Sequence, residues 1–387
     1  MNIPGWIGCL LLAFSMPLAT AMYSPPDDTV PIERIVANLT AQLETEGESA
    51  HIHGQLGRVY SLAFSIDQKV FKIVDERRGY ELYEIKPKLS ADDNIPNAEE
   101  RFRKLILSME HYEKAVALAP DDSYFQLGLA YSNDLASRHT AYLVKVLGGD
   151  CSEEGVNMAQ RAYEDTALEH YRKAFALGSS GVVEPGYAII RILSKRPSPS
   201  PDVLREIKYI KRTCIDAQNG PRWVTPIILS LSESKPLEAL LDPGRVVRFD
   251  LDGQGVREWP WVQPDTAILV WDADGRGDVT NGTQLIGSVT WWLLWETGYE
   301  ALQALDDNRD GWLAGAELAG LALWQDANAN AASDPGEVIP IAAAGIARLA
   351  VTSVGETNGM PYNPAGLQRT DGQYLPTYDW IATPHRR

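Results

Sequence analysis

The stretch LDDNRDGWLAGAEL, residues 305–318, crowds Asp306, Asp307, Asp310 and Glu317 together with Asn308. Carboxylates at that density repel one another unless water screens them or a cation sits among them. Counting Asp306 as position 1, Asn308 stands at 3, Asp310 at 5, Gly311 at 6, Trp312 at 7, Leu313 at 8 and Glu317 at 12. Calcium is a hard ion that takes roughly six to eight oxygens, and a Gly at position 6 permits the sharp turn that lets side chains at 1, 3 and 5 converge. The Trp312 carbonyl would add an oxygen, Glu317 would close the shell with both carboxylate oxygens, and Leu313 would pin the loop to a core. A solvated acidic turn explains the 1-3-5 pattern alone, but not the matches at 6, 8 and 12 as well.

Working outward, DANANAASDPGE sets Asp326, Asn328, Asn330, Asp334 and Glu337 at positions 1, 3, 5, 9 and 12, with Ala332 offering a carbonyl. Ala331 replaces the glycine at 6, so a strained or altered turn is expected, and two asparagines lower the charge and hence the affinity. The run ELAGLALW between the loops reads as helix-like, Leu318, Leu321 and Trp324 sharing an apolar face that couples the two sites. Two further loops are weaker candidates: Asp272 and Asp274, with Arg276 where a ligand is expected, and Asp250 and Asp252, with no acid at position 12. For each, an ordinary turn between strands accounts for the residues equally well.

The spacing is that of an EF-hand calcium loop. The ordered phrases VRFDLDGQG, ILVWDADGRGDVTNGTQLIG, GYEALQALDDNRDGWL, LWQDANANAASDPGEV, GIARLAVTS and DGQYLPTYDWIA resemble a calcium-binding module of bacterial secreted proteins, including RTX-type toxins and adhesins, over roughly 245–383. That resemblance implies a small α+β, EF-hand-like C-terminal domain over 245–387 that binds Ca2+, has no catalysis of its own, and stabilises or presents its neighbours. Members usually have Asn or Asp where Arg276 stands and Glu where Gln284 stands, so the 272 loop is expected to have lost its ion or to keep only its turn.

The first half repeats itself. QLGRVYS at 55–61 returns as QLGLAYS at 126–132, and HYEKAVAL at 111–118 returns as HYRKAFAL at 170–177. Leu56, Gly57 and Tyr60, then Tyr112, Ala115 and Pro120, resemble the two helices of a tetratricopeptide repeat; Leu127, Gly128 and Tyr131, then Ala167, Tyr171 and Ala174, resemble a second unit. Insertions at about 64–96 and 136–163 break the period. A third helix pair, GYAIIRILSK and PDVLREIKYIKR, is expected to cap the stack. The expected fold is therefore multidomain: an all-α helical-repeat, tetratricopeptide-like domain over 31–218, a linker over 219–244, and the C-terminal module. Such stacks present a concave surface to a protein or peptide partner.

A chain of 387 residues with 45% hydrophobic content buries a real core, and a net charge of −17 argues against nucleic acid or anionic membrane surfaces as partners. From Arg245 onward nine arginines and no lysine face nineteen carboxylates, a formal −10 that sets the two halves apart. The N-terminal apolar run ending in Ala19-Thr20-Ala21 reads as a signal peptide over 1–21, too short to span a bilayer, so the mature protein is expected in the periplasm or outside the cell with no membrane span. Its removal leaves Cys151 and Cys214, which permit one disulfide or two separate thiols. None of the six histidines has a partner at catalytic metal spacing, His51 and His53 point to different helix faces, and no nucleophile or phosphate-loop motif occurs. The expectation is an exported calcium-binding protein, not an enzyme. A dockerin-like interaction protein is one alternative, disfavoured by Glu317 and Glu337 where dockerins place Asp, and a hydrolase with its site in the insertions is the other.

Overall fold

The computed structural model describes residues 29–66, 70–75, 80–85, 98–178, 182–218 and 223–385. The expected signal peptide, with Cys9, and much of the first insertion fall outside them.

The N-terminal half is helical: α1 (Ile32–Glu46), α2 (Ala50–Ile66), a hairpin of β1 (Val70–Asp75) and β2 (Tyr80–Ile85), then α3 (Ala98–Leu118), α4 (Ser123–Arg138), α5 (Thr140–Val146), α6 (Glu153–Leu177), α7 (Val183–Ser194) and α8 (Pro201–Gln218). Local chemistry sets the ends. Asp122 caps α4 by accepting the N–H groups of Tyr124 and Phe125, Ser152 caps α6 through Gly155, and α6 stops where Gly178 turns left-handed at φ 65. The repeated glycines serve one ring. A Cβ would stand 2.7 Å from the Tyr112 ring at Gly57 and 2.1 Å at Gly128, so α2 and α4 both close on the tyrosine that α3 supplies. The tetratricopeptide reading is nonetheless corrected. A hairpin separates α2 from α3, α5 stands between α4 and α6, and α3 and α6 run for 21 and 25 residues, so no 34-residue period survives in this irregular stack.

The C-terminal half is a β domain: β3 (Ile227–Ser230), β4 (Leu241–Phe249), β5 (Arg257–Val262), β6 (Thr266–Trp271), the short helix α9 (Gly298–Gln303), β7 (Trp312–Ala314), β8 (Leu321–Trp324), β9 (Val338–Pro340), β10 (Ile346–Ala350), β11 (Gly355–Thr357), β12 (Met360–Arg369) and β13 (Tyr374–Asp379). Its main sheet is an antiparallel half-barrel in the order β7-β10-β12-β13-β3-β6-β8-β9, with β11 on β12, while β4 and β5 form a separate hairpin. The chain is thus multidomain, helical then β, and the expected α+β EF-hand arrangement is corrected. Of the expected helix ELAGLALW, Leu318 closes a 3-10 turn and Leu321–Trp324 is a strand, because Gly320 at φ 87 breaks any helix between them. Strand β3, central in the sheet, lies inside the stretch read as a linker.

The two faces of the sheet have different covers. Ile268, Val270, Ala322 and Trp324 pack under the β4–β5 hairpin with Phe249, Trp259 and Trp261. Their alternates Ala267, Leu269, Trp271, Leu321 and Leu323 share the other core with Ile35 and Leu39 of α1 and Leu56, Val59 and Leu62 of α2. Helices of the first half therefore complete the core of the second. A buried cation fastens the same seam: Arg58 Nε donates to the Trp292 carbonyl at 2.8 Å, in a WWLLW segment whose Trp291, Trp292 and Leu294 are all left-handed.

Candidate metal centre

Helix α9, capped by the Thr297 side chain on the Glu300 N–H, delivers the chain into Leu305 and the acidic loop. Leu313, wholly buried, anchors the far side, and β7 joins β10 through Leu313–Leu349. The 3-10 turn Gly315–Leu318 then swings Glu317 back across the loop.

All four candidate loops share one backbone. Position 4 is left-handed in each (Gly253 φ 66, Gly275 φ 67, Arg309 φ 58, Ala329 φ 54), and so is position 6 (Gly255 φ 112, Gly277 φ 73, Gly311 φ 86, Ala331 φ 56). In each, the position-1 carboxylate accepts the N–H of position 6: Asp250 at 2.8 Å, Asp272 at 3.2 Å, Asp306 at 2.9 Å and Asp326 at 2.8 Å. The position-3 side chain accepts the N–H of position 5 in each as well, through Asp252, Asp274, Asn308 and Asn328. These turns fix the direction of the side chains at positions 1 and 3. At Gly311 a Cβ would meet nothing within 4 Å, so Gly311→Ala should lose stability by backbone strain alone, about 1–2 kcal/mol. Urea midpoints of the two proteins measure this, and an unchanged midpoint contradicts it.

What fills the loops differs. In the 250 loop the Arg257 guanidinium pairs with buried Asp252 at 2.5 Å, and burial pushes Asp250 up to about 6. In the 272 loop Arg276 Nε lies 2.7 Å from Asp274. Both loops carry an arginine where a cation would sit. In the 326 loop the amides of Asn328 and Asn330 donate to Asp334 at 2.7 and 2.9 Å, Ala332 gives its carbonyl to the Asp334 N–H, Glu337 accepts from Ala327 and Asp334, and Trp261 Nε1 donates to Asp326 at 2.6 Å.

The 306 loop lacks such an internal filler. Asp310 accepts the Trp312 N–H at 2.9 Å, and Glu317 accepts from Asp307, Asn308 and Ala314 at 2.9, 3.1 and 3.0 Å. Asp306 is 3% exposed, and its Oδ1 is buried with no hydrogen-bond partner. Burial raises its pKa, and the charges of Glu317 and Asp310 push in the same direction, although loop N–H groups pull against them. Among the described residues, no group of three or more His, Cys, Asp and Glu side chains is gathered tightly enough to hold a metal by itself. An ion here would need the Asn308 oxygen and main-chain carbonyls as well, which suits calcium's oxygen-rich, adaptable shell.

Sequence reasoning missed the partners of this loop. Arg34 Nε donates to Asp307 at 2.6 Å, and the same guanidinium reaches the Leu305 and Glu317 carbonyls. Asn38 donates to Asp307 and the Ala304 carbonyl, both at 3.0 Å, and Arg309 donates to the Ala41 carbonyl at 2.7 Å and to Thr45 at 2.5 Å. Burial would raise Asp307, but the Arg34 and Asn38 bonds outweigh it and hold its pKa below the usual value. Elsewhere, His51 turns to Gln55 and Glu300, whereas buried His53 turns to Glu48 and His111. Cys151 is exposed, Cys214 buried, and both are free thiols.

Residues 235–379 match the family model of the SPM domain. Over 107 residues the chain is 36% identical to the iron-regulated protein FrpA of Neisseria meningitidis serogroup C, a stretch covering 26% of this chain and 10% of that protein. The chain thus spans about a tenth of that relative's length. The SPM match corrects the resemblance drawn from the sequence: this region is not an EF-hand-like RTX-type module, and its loops are set between strands and short turns of a β domain.

Proposed function

We propose that this chain is a calcium-binding protein in which residues 306–317 hold the ion, the ion steadies the C-terminal β domain, and the helical half serves a protein or peptide partner. The observation that carries the reading is the buried, unpartnered Oδ1 of Asp306 beside Asp310 and Glu317. An orphaned carboxylate oxygen in the interior is expensive, and a divalent cation satisfies both its charge and its coordination. Asp306, Asn308, Asp310, the Trp312 carbonyl and Glu317 are the assigned ligands, and the bound ion supplies positive charge that relieves their mutual repulsion. The other three loops already balance their acids with arginines or amides, so they rank below it.

Linkage sets the expected size. An ion that binds only the folded state stabilises it by RT ln(1 + [Ca]/Kd), about 2.7 kcal/mol when calcium is a hundredfold above Kd. Extracellular modules bind calcium at about 10⁻⁴–10⁻³ M, so in an exported chain the ion would be a folding cue instead of a fast signal. Magnesium, smaller and bound to near-octahedral geometry, should compete poorly. The test uses the intact chain, because α1 and α2 complete the core of the β domain. Calorimetric titration and thermal melts with calcium or chelator should show binding and stabilisation in the native protein, both lost in Asp306→Ala and weakened in Glu317→Gln. A native melting point indifferent to chelator would end the proposal.

A further inference from the structure

The 12-residue loop has two audiences. Its side chains at positions 1, 3 and 5, Asp306, Asn308 and Asp310, fold back onto the loop's own N–H groups around the proposed ion. Those at positions 2 and 4, Asp307 and Arg309, reach outward to α1, where they meet Arg34, Asn38, Ala41 and Thr45. Glu317 serves both sides, its carboxylate bonded to loop N–H groups and its carbonyl accepting from Arg34 at 3.4 Å. We propose that the 306–317 loop is a cation-controlled latch, in which calcium on its inner side fixes the grip of its outer side on helix α1 and so joins the helical half to the β domain. The proposal rests on the calcium reading above and names how that site is used.

The physical link is the shared backbone. Arg309 occupies a left-handed conformation between Asn308 and Asp310, so its direction toward Ala41 and Thr45 depends on the turn that those two ligands define. Asp307 donates its N–H to Glu317 while its carboxylate accepts from Arg34 and Asn38. A loop that rearranges when its acids repel one another therefore loosens both grips together. Coupling of this kind is reciprocal: if calcium tightens α1 by some factor, docked α1 tightens calcium by the same factor. The apolar face of α1, Ile35 and Leu39, stays in the core, so the latch governs local opening of the helix and not its wholesale departure.

The experiment is amide hydrogen exchange on the full chain, with and without calcium, alongside calorimetric affinities. In the native protein, calcium at about a hundred times Kd should slow exchange both in 306–317 and across 32–46, by at least about tenfold in α1. Asp306→Ala should abolish both responses. The double variant Arg34→Lys with Asn38→Ala keeps the local charge, so no electrostatic change masks the effect, yet loses the guanidinium fork and the amide donor. It should still bind calcium, about tenfold or more weakly, with the 32–46 response gone and the 306–317 response kept. If the native loop responds and α1 does not, or if the double variant binds calcium as tightly as the native chain, the latch is wrong and the calcium site stands. If neither segment responds and no heat is seen, the calcium site falls and takes the latch with it.

Discussion

Asp379→Asn should gain stability over the native protein, in the absence of calcium, as pH rises from about 4 to 7. Asp379 closes β13 fully buried, with both carboxylate oxygens 3.1 Å from the Gly298 N–H at the start of α9. Burial pushes its pKa from 3.8 up to about 7; the Gly298 bond pulls against this and the Glu300 charge adds to it. A carboxyl group whose folded pKa is raised favours the fold below its unfolded value, and the advantage disappears as pH rises through the folded one. At about 1.4 kcal/mol per unit the full swing is at most about 4 kcal/mol. Asn keeps an acceptor for Gly298 and never ionises, so the variant should match the native protein near pH 4 and exceed it at pH 8. Urea unfolding at both pH values in chelator measures this, and parallel behaviour of the two proteins rejects it.

How much of this was legible in the residues depends on the range of the interaction. The turn of the 306 loop was readable because it is local: Asp306 reaches the Gly311 N–H and Asn308 the Asp310 N–H within a few residues. The shared backbone of the four loops was only half legible, since Arg309, Ala329 and Ala331 adopt left-handed angles that their side chains disfavour. The context was misread. LALW is buried on both faces, which erases the alternation that marks a strand, and Leu318, Leu321 and Trp324 happen to recur at helical spacing. The repeated QLG phrase was real, but its glycines record the close approach of α2 and α4 to Tyr112 and not a period. The grip of α1 on the loop left no trace: Arg34 and Asp307 are 273 residues apart, and nothing about a helical Arg-x-x-x-Asn pair marks its partner.

Gly282→Ala should be among the most damaging single changes in the β domain. The residue sits in TNGTQLIG, a segment that threads against its neighbours by backbone contact: the Gly282 N–H donates to the Asp250 carbonyl at 2.7 Å, and the Ile286 N–H to Leu269 at 2.8 Å. A Cβ at 282 would lie 1.7 Å from the Leu251 carbonyl oxygen, and one at Gly287 would lie 2.4 Å from that of Thr225. Where a flexible side chain is the obstacle, rotation relieves it; here the obstacle is main chain already held in the 250 loop. The methyl group must therefore displace the loop or break the Gly282–Asp250 bond, and overpacking of this kind costs about 3 kcal/mol. The damage should be local as well as global. Gly253 and Gly255, whose turn holds Asp250 and Asp252, should exchange their amides faster in the variant, while 306–317 should exchange as in the native chain. Urea unfolding gives the stability and hydrogen exchange its location. A loss under about 1 kcal/mol would mean that the segment can step back from Leu251, and that close backbone contact is not what selects glycine there.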